Sequence, residues 1–303
     1  MNLRQLETFV RVAELGSFSK AAMILGIAQP ALSRQVRLLE TGLHETLLER
    51  TGRGVRLTES GQRLFEHAVG ILQLVSKARD DVVARRDEPT GRVTIGLPPT
   101  LGRRLSLPLV DTFRRQWPRA RLAIVEGLSA HLAEWIATAR VDLALLYNPQ
   151  PHTALELTAL FEEALCLVGP APRRRSRSGL AKLPLPLREL PNYPLVVPER
   201  THTIRRLIEA QAALAGIELQ IAWEVSSVPT IVDLVVAGYG HAVLSESAVA
   251  MSGHADQLLT RPLSEPWVTS TLCLAASSSR RPTPLLRQAS TLLATLASNL
   301  PRG

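Results

Sequence analysis

The stretch Gly16-Ser-Phe-Ser-Lys-Ala-Ala-Met-Ile-Leu-Gly-Ile-Ala-Gln-Pro-Ala-Leu-Ser-Arg-Gln-Val36 decides the fold. It reads as two short helices joined by a tight turn. Ser19 is placed to cap the first, because a serine hydroxyl accepts from free first-turn amides. Ala21, Ala22 and Leu25 recur at helical spacing, and Ala22 is small where two helices would cross. Gly26 supplies the left-handed residue a turn needs. Pro30 stands where a second helix would start, a position that tolerates its missing N–H. Leu32, Val36 and Leu39 mark the buried side of that helix, and Gln29, Ser33, Arg34 and Arg37 fall on the other. Gln pairs with adenine, Arg with guanine, and Ser with bases or phosphates, so this face suits a DNA major groove. An earlier helix, Leu3 to Leu15, offers Leu6, Phe9, Val10 and Ala13 as a packing stripe.

An ordinary helical hairpin has the same spacing, and the next segment separates the two readings. Leu47-Leu-Glu-Arg50 and Val55-Arg-Leu-Thr58 read as strands around the turn Thr51-Gly-Arg-Gly54. Arg50, Arg53 and Arg56 make this a basic wing with reach to phosphates or the minor groove. Alone it would be a solvated hairpin; beside the helical pair it reads as part of a DNA-binding head.

Here the residues resemble the LysR-type transcriptional regulators. Leu6-Glu-Thr-Phe9, Gly16-Ser-Phe-Ser-Lys-Ala-Ala22, Gln29-Pro-Ala-Leu-Ser-Arg-Gln35, Leu39-Glu40 and Arg50-Thr-Gly-Arg-Gly-Val-Arg-Leu-Thr-Glu-Ser-Gly61 follow the family's order and spacing. Within it, Ile27-Ala-Gln-Pro-Ala-Leu-Ser33, Leu47-Leu48, Gly91-Arg-Val-Thr-Ile-Gly-Leu97 and Leu145-Leu-Tyr147 are similar to the nitrogen assimilation control regulators, a narrower likeness that does not fix a ligand. Leu43-His44 and Leu47-Leu48 stand where the family often has Leu-Gly and Leu-Phe, and Ala28 where many members have Ser. The residues expected against DNA are Ser17, Ser19, Ala28, Gln29, Pro30, Ser33, Arg34, Arg37, Arg50 and Arg53.

The fold class expected is α/β with an N-terminal winged helix-turn-helix domain whose framework is helical (1–58), a long linker helix and hinge (59–90), and a regulatory domain (91–303). Thr58 would cap a helix running to about Ala84, with Leu64, Ala68, Ile71, Leu72, Val75, Ala78 and Val82 as an apolar seam. That seam pairs with another chain or packs on its own regulatory domain; the resemblance implies antiparallel pairing in a dimer. Asp87-Glu-Pro-Thr-Gly-Arg92 reads as a linker. Beyond it strands alternate with helices, the pattern of a parallel α/β sheet. The resemblance implies two lobes folded like type 2 periplasmic solute-binding proteins: lobe I at 91–165 and 269–303, lobe II at 166–268, with crossings near Glu163–Leu165 and Val268–Thr271.

Clefts between such lobes take ligands at strand ends and helix starts, where free amides favour anions. Pro99, Thr100, Ser129, Tyr147, Thr201, His202, Ser227 and Ser245 fall at such points and suit a carboxylate-bearing metabolite, with His202 as a charge partner. Each Ser or Thr is equally an ordinary N-cap. Gly238-Tyr-Gly240 follows a helix rather than a strand, so it is not a dinucleotide loop. The histidines lack ligand spacing and there is no Cys-x-x-Cys, so neither metal nor cofactor is expected. Cys166 and Cys273 lie near the crossings; they are neighbours open to redox pairing, or buried small hydrophobes.

Composition is consistent. The 303 residues allow two or three domains, 46% are hydrophobic and only 4% aromatic, so the cores are aliphatic. The net charge of +8 is weak support for DNA binding, because much of it sits in Arg173, Arg174, Arg175, Arg177, Lys182 and Arg188. That cluster is a second contact surface or a solvated, proline-flanked loop. With no signal segment or membrane span the chain is expected in the cytoplasm. The reading is a non-enzymatic regulator, activator or repressor, a homodimer or homotetramer on promoter DNA, with RNA polymerase as partner and a small anionic metabolite as effector. The resemblance also allows an effector-independent regulator of the nitrogen-control type. A solute-binding protein would need export, and an α/β enzyme a nucleophile–base or cofactor constellation, which the sequence lacks.

Overall fold

The computed structural model describes residues 1–52, 54–83, 89–171, 183–279 and 282–300, which form two compact units, 1–91 with 137–140 and the remainder. Arg53, Ala84, Asp87 and Glu88 lie outside the described residues, as do Arg173, Arg174, Arg175, Arg177 and Lys182 of the basic cluster.

The first unit opens with α1 (Leu3–Leu15), α2 (Phe18–Leu25) and α3 (Gln29–Leu43). A capping box starts α1: Gln5 N–H donates to Asn2 Oδ1 at 2.9 Å and Asn2 N–H to Gln5 Oε1 at 2.8 Å. The cap of α2 is Ser17, not Ser19. Ser17 has the extended backbone of a cap, and its Oγ accepts from Lys20 N–H at 3.3 Å, while Ser19 is already inside the helix and exposed. Gly26 closes α2 at φ 64°. Phe9, Leu32 and Leu39 are fully buried at the centre, each worth about 1.5–3 kcal/mol of transfer free energy.

The wing is β1 (Leu48–Thr51) paired antiparallel with β2 (Gly54–Leu57). It is tied in from both sides. Val55 N–H donates to Gly16 O at 2.9 Å, and the Glu40 carboxylate of α3 accepts from Leu47 and Leu48 N–H at 2.9 and 3.2 Å. Thr58 Oγ accepts from Gly61 N–H at 2.9 Å and so caps α4 (Glu59–Val83). Ala68 of α4 is buried in the first core, while Ile71 and Leu74 stay exposed.

The second unit runs β3 (Gly91–Leu97), α5 (Pro99–Gln116), β4 (Ala120–Glu126), α6 (Ser129–Ala137), β5 (Leu143–Tyr147), β6 (Leu155–Pro170), β7 (Leu185–Pro186), β8 (Leu195–Val197), α7 (Thr203–Ala215), β9 (Ile221–Glu224), α8 (Val228–Val236), β10 (Ala242–Ser245), α9 (Glu246–Met251), β11 (Leu258–Ser264), β12 (Thr269–Ser277) and α10 (Pro284–Ser298). The sheet is mixed, which corrects the expectation of parallel strands. β3 and β5 pair parallel, but β12 pairs antiparallel with both β5 and β6, and β10 and β11 pair antiparallel with β6. The cause is β6, a 16-residue strand that serves both lobes. Its first part, Leu155–Ala164, pairs with β12 of lobe I; Leu165–Pro170 pairs with β10 and β11 of lobe II. The return passage lies alongside, with Leu165 N–H donating to Val268 O at 2.8 Å.

The same register separates the cysteines. Cys273 is opposite Ala159 of β6, and Ala159 lies seven residues from Cys166, about 23 Å along a strand. No bridge spans that distance; both thiols are free and buried.

Two tests follow from the first unit. Glu40→Ala leaves the Leu47 and Leu48 amides without their acceptor, and should destabilise the protein by about 1–3 kcal/mol in denaturant unfolding. His44, the C-cap of α3, sits in the left-handed region at φ 55°, a conformation that costs a side-chain-bearing residue about 1 kcal/mol. His44→Gly should therefore raise the unfolding midpoint.

Candidate functional site

Two sites emerge, one in each unit. On α3 the buried positions Leu32, Val36 and Leu39 leave Gln29, Pro30, Arg34 and Arg37 exposed, with Ser33 half-buried between them. Ala28 caps α3 without a side-chain hydrogen bond. Its carbonyl accepts from Leu32 N–H at 3.1 Å, so the Gln29 and Ala31 amides remain at the helix start, Pro30 having none. Arg50 is held on β1 with its guanidinium 5.1 Å from the centre of the Phe18 ring. A groove between the α1–α2 turn and the wing is lined by Ser17, Lys20, Thr51, Gly52 and Arg56. Lys20 was not singled out from sequence; the signal was available, since it is one helical step beyond Ser17 on the same end of α2.

In the second unit a cavity of about 270 Å3 opens between the two lobes. Four helices point their first turns at it. Pro99 and Thr100 come from α5, Ser129 from α6, His202 from the cap of α7, and Ser227 from the cap of α8; Tyr147 and Ser245 end strands β5 and β10. Thr201, expected among them, is exposed and does not line the cavity; Thr203, the first residue of α7, takes its place. Ser270, Arg103 and Glu126 also line it and were missed. Arg103 was missed because α5 begins six residues earlier than its apolar periodicity suggests, behind Pro98-Pro99.

Hydrogen bonding orients the polar lining. Ser129 Oγ accepts from Tyr147 N–H at 3.0 Å, and Ser270 Oγ accepts from Asn148 Nδ2 at 3.0 Å. His202 accepts the Ile204 amide at Nδ1, 3.3 Å. Burial lowers its pKa, with Glu199 opposing and Arg206 adding to the fall. Both the lowered pKa and the bond at Nδ1 favour the neutral ring with its proton on Nε2.

Sequence reading also missed Glu163, at the point where β6 changes lobes. Its Oε2 accepts from Ser247 N–H at 3.3 Å, while Oε1 is buried without a hydrogen bond among the described residues. Burial raises its pKa, hydrogen bonds from Ser247 and Ser245 pull it down, and Glu246 pushes it up again. Tyr147 is also raised, first by burial and then by Glu163, against a hydrogen bond with Ser247. One network thus joins Tyr147 of lobe I, the crossing strand and Ser247 of lobe II.

A winged helix-turn-helix with an exposed polar recognition face, followed by a two-lobed unit with a central cleft, defines a DNA-binding regulator carrying a sensor-like module. Comparison with known proteins bears this out. The chain matches the bacterial regulatory helix-turn-helix protein, lysR family, over residues 3–62 and the LysR substrate binding domain over residues 86–298. It belongs to the LysR family of DNA-binding transcriptional regulators, and is not an enzyme. It is 32% identical over 300 residues to the nitrogen assimilation regulatory protein nac of Klebsiella aerogenes, covering 98% of this chain and 96% of the relative. The nac protein of Escherichia coli (strain K12) is 32% identical over 270 residues, 87% of this chain and 86% of that one. The structure of full-length CbnR complexed with its target DNA shares the fold at a TM-score of 0.66 and 23% identity, covering 98% and 100% of the two chains. Among the described residues no helix is long and apolar enough to cross a membrane.

The raised Glu163 pKa gives a pH test. A carboxyl whose folded pKa lies above its unfolded one costs stability as pH rises from the ordinary carboxylate range through the folded value. Glu163→Gln removes that cost, so its melting temperature relative to wild type should climb as pH rises above the ordinary carboxylate range. A constant difference would mean the carboxyl does not titrate in that window.

Proposed function

We propose that the protein is a promoter-binding regulator in the cytoplasm, working as a homodimer or homotetramer whose DNA geometry is set by a small anionic effector in the interlobe cleft. On this reading Gln29, Ser33, Arg34 and Arg37 meet base edges, while Ser17, Ser19, Pro30, Arg50 and Arg53 position the head on phosphates. The α3 amides beside Ala28 add a backbone anion contact. Pairing through the exposed Ile71 and Leu74 stripe of α4 would place two heads on one DNA. The single observation that carries effector control is the cavity of about 270 Å3 onto which helix starts from both lobes converge. An occupant that fits one lobe arrangement better shifts the population toward it, and RNA polymerase is the partner that would register the change. The domain limits 1–58, 59–90 and 91–303 describe this division of labour.

Retention on fragmented genomic DNA at physiological salt tests the core of the reading: sequence-preferring retention is expected, and its absence would refute it. Arg34→Ala should weaken specific binding by about 1–3 kcal/mol in a titration against an enriched fragment. Equal loss on random DNA would reassign Arg34 to the phosphates.

A further inference from the structure

The cleft is not uniformly suited to anions. Of the helices that start at its wall, α5 already carries a protein carboxylate: Glu126, the last residue of β4, rests on the first turns of α5 so closely that a Cβ on Gly102 would lie 2.2 Å from its Oε1. Replacing that glycine would force the carboxylate away. Glu126 also lines the cavity, and makes no ion pair within 4.0 Å among the described residues. Arg103, one residue beyond Gly102, also lines it and is likewise unpaired there.

The starts of α6, α7 and α8 also face the cavity. Beside them stand two hydroxyls, Ser129 and Ser270, 8% and 2% exposed. Each accepts a protein hydrogen bond, and neither donates its proton to another of the described residues. Leu128, Ile204, Val228 and Pro229 make the remaining wall apolar. The cavity therefore carries donor hydroxyls at Ser129 and Ser270, an exposed carboxylate at Glu126, an exposed guanidinium at Arg103, and an apolar wall.

We propose that Glu126 is a specificity-determining residue of this cleft, and that the occupant it selects is an amino-acid-like zwitterion with an apolar body. The ligand carboxylate meets the hydroxyls and the α6–α8 amides. Its ammonium, on the carbon beside that carboxylate, meets Glu126, which precedes Ser129 by three residues in the chain, and Arg103 gives the carboxylate a further partner. This deepens the effector reading and rests on it.

Thermal shift and calorimetry on the full-length protein test it, using millimolar L-leucine, L-methionine and L-phenylalanine. The controls are the deaminated analogues 4-methylpentanoate and 3-phenylpropanoate, and the dicarboxylates glutarate and adipate. The expected result is stabilisation by at least one of the amino acids, none by its deaminated analogue, and a loss of affinity of about tenfold or more in Glu126→Gln. Because that variant keeps the shape of the side chain, its own melting temperature should stay near that of wild type. Binding of the deaminated acids or dicarboxylates with no effect of Glu126→Gln would overturn the assignment of Glu126 while leaving an effector cleft intact. No response to any of the probes would overturn the zwitterion and count against a small anionic effector as well.

Discussion

The hydrogen-bonded run of β6 against β12 is the constraint on which the second unit depends. One strand enters lobe I at Leu155, exchanges partners after Ala164 and finishes in lobe II at Pro170. Each lobe thus builds on the same backbone, and within lobe II Leu165 and Leu167 face one cluster and Cys166 and Val168 another. Side chains alternate across a strand, so a slip of one residue at the crossing would exchange these two sets. The cleft lies beside that crossing, and the network of Tyr147, Glu163 and Ser247 is built on it.

Much of the DNA-reading head was legible because its signals are local. Capping hydroxyls, a left-handed glycine, a proline near a helix start and a two-glycine turn all act within a few residues. Ser19 was misassigned because two serines two positions apart are equal candidates from sequence; Phe18, which enters the helix, decides for Ser17. The regulatory unit was harder for the opposite reason. Strand identities came from apolar runs, but the sense of pairing is a long-range property, and the antiparallel return of β12 has no local marker. The alternation from Leu155 to Glu163 is too irregular to reveal a strand of that length, and the six residues of α9 are too few to show a period.

The cleft was readable as a set and unreliable one residue at a time. Strand ends and helix starts were sound guides, since four helices do begin there. Thr201 does not line the cavity because the cap of α7 is His202, one residue further on. Glu126 and Glu163 escaped because an acidic residue in a strand pattern reads as solvent-facing. Only the packing on Gly102 for one, and the change of lobe for the other, give them a role.

The bare start of α3 has a consequence for how the head behaves off DNA. With Ala28 lacking a side-chain acceptor and Pro30 lacking an N–H, the first turn is anchored by the buried Leu32 and its bond to Ala28, and has no side-chain cap. In free protein water satisfies the Gln29 and Ala31 amides. A phosphate oxygen placed there would serve as the missing cap. An anion bound there would then be coupled to the cap of the helix that carries the exposed Gln29, Arg34 and Arg37.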